Sequence, residues 1–219
     1  MNKIKNITNK EMKKYMNIKE QIDFSSNEIV SVLPDEELAN RIFIKKSNIL
    51  DEYIEEIKNS DIKANGKGIL DFLKDDSKYV DELFEFKQRI QGELDRLEVC
   101  SRCECLKCSI ICPFKACREC SSNIKVKACD RSNVFITTGY GDIKLYLNNS
   151  EIEYEVVGIL YDKTEDKKYI YLSERNNTNN QQILEYKKHL DGSEEFNALP
   201  SEDKLDKVYE VFLKFNIIK

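Results

Sequence analysis

Apolar residues recur at steps of three and four through roughly the first hundred positions, then switch to alternation, so the chain is predicted to be helical first and β-structured afterwards. From Asn9 to Asp23, Met12, Tyr15, Met16 and Ile22 fall near one helical face. Ser25-x-x-Glu28 reads as a capping box opening a second, short helix. Pro34-Asp35 restarts the chain, with Leu38, Ala39, Ile42 and Phe43 at helical spacing, and Ile49, Leu50, Tyr53, Ile54 and Ile57 continue that pattern before a turn at Asn65-Gly66. The strongest helix runs from about Lys78 to Val99, where Val80, Leu83, Phe86, Ile90, Leu94 and Leu97 make one stripe. Its other faces carry charges that include Lys87, Arg89, Glu93 and Arg96, the pattern of a solvated outer face on a bundle helix, with a helical hairpin arm or short coiled coil as the alternative.

Beyond residue 131 the period becomes two. Ile143, Leu145 and Leu147 alternate with Lys144 and Tyr146, Asn148-Asn149-Ser150 turns the chain, and Ile152–Tyr161, Lys168–Leu172 and Ile183–Lys187 read as antiparallel strands. Pro200-Ser201 caps a closing helix with Leu205, Val208, Tyr209, Phe212 and Phe215 on one face, expected to pack on the sheet. The expected fold class is α+β: a helical region 1–99, a cysteine-rich metal-binding module 100–131, and a small α+β domain 132–219. The segment from about 134 to 219 resembles the YrzB-like bacterial family of unknown function. The resemblance lies in Glu153-Tyr-Glu-Val-Val157, the hairpin into Lys168-Tyr-Ile-Tyr-Leu172, and the acidic closing helix approached by Glu194-Glu-Phe196. It implies a small β-sheet with a helix and transfers no activity.

Between these regions lie all eight cysteines. Cys100, Cys103 and Cys112 read C-x2-C-x8-C, and Cys117, Cys120 and Cys129 repeat that spacing, while Cys105 and Cys108 add a further C-x2-C inside the first interval. Such density points to thiolate ligation of metal, because a C-x2-C knuckle sets two sulfurs on one tight turn. Eight sulfurs fill two four-cysteine zinc sites. The repeat assigns Cys100, Cys103 and Cys112 to one and Cys117, Cys120 and Cys129 to the other, each completed by Cys105 or Cys108. Alternatively, the six repeat cysteines share two thiolates between two zinc ions, a spacing similar to that of the fungal binuclear zinc-cluster DNA-binding family. Here the first interval holds Glu104, Leu106, Ser109, Ile110 and Ile111 where a DNA reader would present cations.

Iron-sulfur ligation is the rival. Cys105-x2-Cys108-x3-Cys112-Pro113 matches the tail of the bacterial ferredoxin run, but Arg102 occupies the position that its first cysteine needs. An N-terminus without an apolar leader region, and the absence of any apolar run near the roughly 20 residues of a membrane span, lead to the expectation of a cytoplasmic protein whose thiols stay reduced.

Charge narrows function. The chain carries −5 overall, yet Arg102, Lys107, Lys115, Arg118, Lys125, Lys127 and Arg131 outnumber Glu104, Glu119 and Asp130 between Cys100 and Arg131. That patch, with Phe114 beside Lys115, motivates a nucleic-acid-binding alternative. Eight thiolates on two zinc ions contribute about −4 and bring the stretch close to neutral. The single histidine, His189, lacks a second histidine for a metal-hydrolase motif, and Asn65-Gly-Lys-Gly-Ile69 is too short for a phosphate loop. The expectation is a non-enzymatic zinc-binding adaptor with a protein partner. Nucleic-acid binding and iron-sulfur electron transfer stand as alternatives.

Overall fold

A computed structural model describes residues 3–65, 77–147 and 150–218. The turns expected at Asn65-Gly66 and Asn148-Asn149-Ser150 reach outside those residues, and the Gly-Lys-Gly segment lies outside them. The chain is α+β, with helices first, then an antiparallel sheet, then a closing helix. It divides into two compact units, residues 1–111 with 117–122, and residues 112–116 with 123–219. The cysteine stretch is therefore not a unit of its own. Six cysteines fall in the first unit, and Cys112 and Cys129 fall in the second.

In the first unit, α1 (Lys3–Val30), α4 (Asn48–Asn65) and α5 (Ser77–Ser101) each pack against the other two. Two short helices, α2 (Asp35–Ala39) and α3 (Ile42–Lys45), connect α1 to α4. The expected break at Ser25 does not occur. Thr8, Tyr15, Ile18, Ile22, Ser25 and Ile29 are all buried and follow one seam at steps of three, four and seven, so Ser25, only 2% exposed, is a small seam residue rather than a cap. With no glycine or proline before Pro34, nothing interrupts the helix. The single helix expected across Leu38 to Phe43 is instead split, because Arg41 takes an extended conformation (φ −82°, ψ 112°) between α2 and α3. Leu50, Tyr53, Ile54 and Ile57 of α4 and Leu83, Leu94 and Leu97 of α5 complete the core.

One polar node ties the three long helices. Glu11 of α1 accepts from Tyr53 Oη of α4 at 2.6 Å and from Lys87 Nζ of α5 at 2.7 Å. Burial by itself would raise the Glu11 carboxyl, but the hydrogen bonds from Lys87 and Tyr53 outweigh it and hold the group below 4.5. A carboxylate lowered on folding stabilises the folded state above its unfolded pKa, and that contribution disappears as pH falls through the lower folded value. The helical unit is thus expected to lose stability on acidification below about 4.5. Glu11→Gln should flatten that part of the profile, measured as the urea midpoint of the helical circular dichroism against pH.

The second unit is a seven-stranded antiparallel sheet, ordered β1-β2-β4-β5-β6-β7, with β3 also on β4. Its strands are Lys125–Cys129, Val134–Thr138, Asp142–Leu147, Ser150–Asp162, Lys167–Glu174, Gln181–Lys188 and Glu194–Ala198 in that numbering. The thirteen-residue β4 pairs with β2 through one half and β3 through the other, and a bulge at Val157 marks the change of register against β5. Helix α7 (Glu202–Lys214) is capped by Ser201, whose hydroxyl accepts from Lys204 N at 3.3 Å. As expected from its stripe, Val208 and Phe212 of α7 bury against Ile136, Leu160, Tyr171 and Ile183 on one sheet face. On the opposite face Tyr154, Val156, Ile159, Ile170 and Leu172 are buried among residues from the sheet and its loops, including Tyr140, Ile143 and Phe196.

Candidate metal centre

The first unit brings together the cysteines at the foot of α5. Cys100 sits on that helix's last turn, and Cys103 N–H donates to its carbonyl at 3.0 Å, turning the chain sharply. A 3-10 turn, Glu104–Lys107, then carries buried Cys105, and Cys108 N–H closes a second turn onto the Cys105 carbonyl at 3.2 Å. Cys117 lies in the short helix α6 (Ala116–Glu119), with Cys120 just beyond it. The Cys105 thiol hydrogen-bonds both Cys103 and Cys117. Cys100 lies within electrostatic reach of Cys103, Cys117 and Cys120. All three C-x2-C pairs belong to the helical unit. The repeat-based grouping of Cys100 and Cys103 with Cys112 would instead draw on both units.

Two arginines converge on this nest. Arg41 is 1% exposed, pairs with Glu37 at 2.9 Å and donates to the Ile110 carbonyl at 3.0 Å. Its Nε and Nη1 are buried without an aligned acceptor, while Cys117, Cys108 and Cys105 lie beside the guanidinium. Arg96 is 6% exposed, donates to the Ser121 carbonyl and hydrogen-bonds Cys120, with Cys100 and Cys117 close by. It belongs to the buried side of α5, not to the solvated face on which its charge had placed it. Its spacing of four from Cys100 was the available signal, since residues four apart share a helical face. Arg41 had no comparable local signal.

The electrostatics of the nest are unequal. Hydrogen bonding from Cys105, with help from Arg41 and Arg96 against the cost of burial, lowers Cys117 to about 6. Hydrogen bonds to Cys103 and Cys117, with burial added, drive Cys105 strongly upward, so the proton between Cys105 and Cys117 resides on Cys105. Burial raises Cys100 to about 12 against the pull of Arg96, and raises Cys120 against its own hydrogen bond to Arg96. Among the described residues no three His, Cys, Asp or Glu side chains stand ready-made around a common metal position. None of the eight cysteines is paired in a disulfide.

The remaining candidates lie in the second unit. Cys129 ends β1 and accepts from Arg131 N–H at 3.2 Å, and Cys112 opens the segment holding Phe114. Phe114 is buried, with ring centroids 4.8 Å from Phe135 and 5.9 Å from Tyr161 in edge-on contacts, so it is neither an exposed contact residue nor a stacking platform. His189 lies at the surface, 3.1 Å from Glu195. No helix in the described residues is long and apolar enough to cross a membrane. No family model, curated protein or solved structure matches this chain, so the resemblance to the YrzB-like family rests on the sequence pattern alone.

Proposed function

We propose that this protein is a non-enzymatic zinc-binding adaptor, in which zinc held by thiolates stabilises the helical unit and the folded surface serves a protein partner. The observation that carries this reading is the pair of buried arginines, Arg41 and Arg96, lying beside five cysteines, Cys100, Cys105, Cys108, Cys117 and Cys120. A buried guanidinium is costly unless anions surround it, and neutral thiols supply little compensation. Metal-bound thiolates supply fixed negative charge at the sulfurs, and N–H groups aimed at those sulfurs stabilise them in turn. Closed thiolate sites leave no open coordination position for chemistry, which favours a structural metal over a catalytic one. Three C-x2-C turns suit tetrahedral zinc. The ferredoxin register remains broken at Arg102.

Burial of Phe114 removes the aromatic that motivated nucleic-acid recognition. Exposed Phe24, Val30 and Val32, near the C-terminal end of α1, offer apolar surface of the kind a protein partner would cover. The test is elemental analysis of anaerobically purified protein followed by chelation. Colourless protein containing zinc, whose helical unit loses roughly 10 °C or more of thermal midpoint on chelation, is the expected result. Brown protein containing iron and sulfide, or metal-free protein of unchanged midpoint, would overturn the zinc reading. Salt-dependent retention on DNA or RNA would overturn the adaptor reading in favour of nucleic-acid binding.

A further inference from the structure

We infer that the cleft between α7 and the β6–β7 edge of the sheet is a docking site for the protein partner, and that the segment seated there is apolar and carries lysine or arginine. The inference rests on the adaptor reading above for the existence of a partner, and adds where it docks and with what chemistry. The cleft has a volume of about 780 Å³ and belongs wholly to the β-rich unit. Buried Tyr171 and Ile183 line it from the sheet, and Leu199 lines it where β7 leads into α7.

Helix α7 presents three sides. Val208 and Phe212 pack on the sheet. Asp203, Lys207, Glu210 and Lys214 share an exposed flank of mixed charge. Glu202, Leu205, Asp206 and Tyr209, at steps of three, four and seven, share the remaining flank, and all four line the cleft. Leu213 continues that row by one more turn.

The cleft flank is apolar and unpartnered. Leu205 and Tyr209 are each 38% exposed and Leu213 is 40% exposed, although their stripe predicts that Leu205 and Tyr209 pack on the sheet beside Val208. From Leu205 to Leu213 the row spans about 12 Å, the length of about four residues of extended peptide. A small organic cation would leave most of that row wet, whereas a peptide segment covers it.

Charge complementarity sets the sign of the occupant. No lysine, arginine or histidine lines the cleft, whereas Glu202 and Asp206 do. Among the described residues neither acid has an ion-pair partner. Lys204 is turned to the sheet, paired with Glu165 at 2.6 Å and lying over the Tyr169 ring, and Lys207 and Lys214 stand on the other flank. Glu202 complements the positive end of α7, but Asp206 lies beyond the first turn and has no such role. Gln181 adds a directional group: its Oε1 accepts from Tyr171 Oη at 2.5 Å, which fixes the amide and leaves its N–H groups for a carbonyl of the bound segment.

The test pans a random-peptide display library on the full chain and titrates the selected peptides, synthesised with a fluorescein label, by anisotropy. The expected selection places lysine or arginine within a few positions of leucine, isoleucine or phenylalanine. Glu202→Lys/Asp206→Lys should weaken binding about tenfold or more, and Leu205→Ser about threefold or more. Asp203→Lys/Glu210→Lys, the same charge change on the other flank, should alter it by less than about twofold. Equal weakening by the two charge-reversed pairs, selected peptides without basic residues, or no selected peptide would overturn the docking site. So would displacement of the peptides by micromolar spermidine, which assigns the cleft to a small cation, or self-association lost in Glu202→Lys/Asp206→Lys, which assigns it to a second copy. Each of these outcomes leaves the zinc-binding adaptor reading standing, since that reading falls instead by metal analysis or nucleic-acid retention. Where a variant fails to fold, amide shifts of the isotopically labelled wild type decide the matter: shifts at Gln181, Ile183 and Glu202 to Leu213 are expected on adding peptide, and shifts confined elsewhere overturn the site.

Discussion

Arg41→Ala is expected to destabilise the helical unit by about 3–5 kcal/mol, the cost of removing one member of a buried charged set. Its guanidinium pairs with Glu37, satisfies the Ile110 carbonyl and lies against Cys117, Cys108 and Cys105, so its loss strands groups of three kinds in a site with little water. Its backbone is extended (φ −82°, ψ 112°), a conformation alanine also adopts, so the loss arises from the side chain. Arg41→Lys keeps the charge but not the planar fork, and should recover only part of the loss. In zinc-loaded protein the same alanine variant should bind zinc about 10–100-fold more weakly, as removal of outer-shell partners does elsewhere. Urea unfolding followed by helical circular dichroism, together with competition against a chromophoric chelator, would read both effects. Unfolding and zinc affinity equal to wild type would remove Arg41 from the site.

In the β-rich unit the largest effect is expected at a glycine. Gly139 follows β2 with φ +98°, and a Cβ built there would stand 2.3 Å from the Asn123 carbonyl oxygen, a backbone atom that cannot swing away. Gly139→Ala combines left-handed strain with a steric collision, each about 1–3 kcal/mol, and should cost about 3–5 kcal/mol in total. Gly141 supplies the control. It also has positive φ (+78°), but a Cβ there meets nothing within 4 Å, so Gly141→Ala should cost only about 1–2 kcal/mol. Equal destabilisation by the two variants, in denaturant titrations followed by tyrosine fluorescence, would mean that backbone conformation alone matters and the collision does not.

The fold was readable wherever burial follows from local periodicity. The stripe of α5, the alternation of β3 to β6 and the Ser201 cap of α7 are each contained within a few turns or one strand, and the structure places all of them as the pattern predicts. β1, β2 and β7 carried less signal. β7, Glu194–Ala198, has a single half-buried apolar residue in Phe196, since an edge strand pairs on one side and packs little. Ser25 misled for a related reason: a small hydroxyl residue serves equally as a helix cap or as a seam residue, and only the neighbouring helices decide between them.

The cysteine stretch divides in the same way. Residue type and spacing alone established that the chain concentrates thiols on tight turns, because a C-x2-C knuckle is a local geometry that needs no partner. Which cysteines share a compact unit was decided only by the tertiary structure. The linear repeat joins Cys112 to Cys100 and Cys129 to Cys117, whereas the path of the chain brings Cys117 and Cys120 to the foot of α5 and places Cys112 and Cys129 in the other unit. Arg41, far from every cysteine in sequence, stands between α2 and α3 and lies beside Cys117, Cys108 and Cys105. Electrostatic contact depends on distance in space. A single sequence reports that distance over a few residues, and beyond them only the packed helices set it.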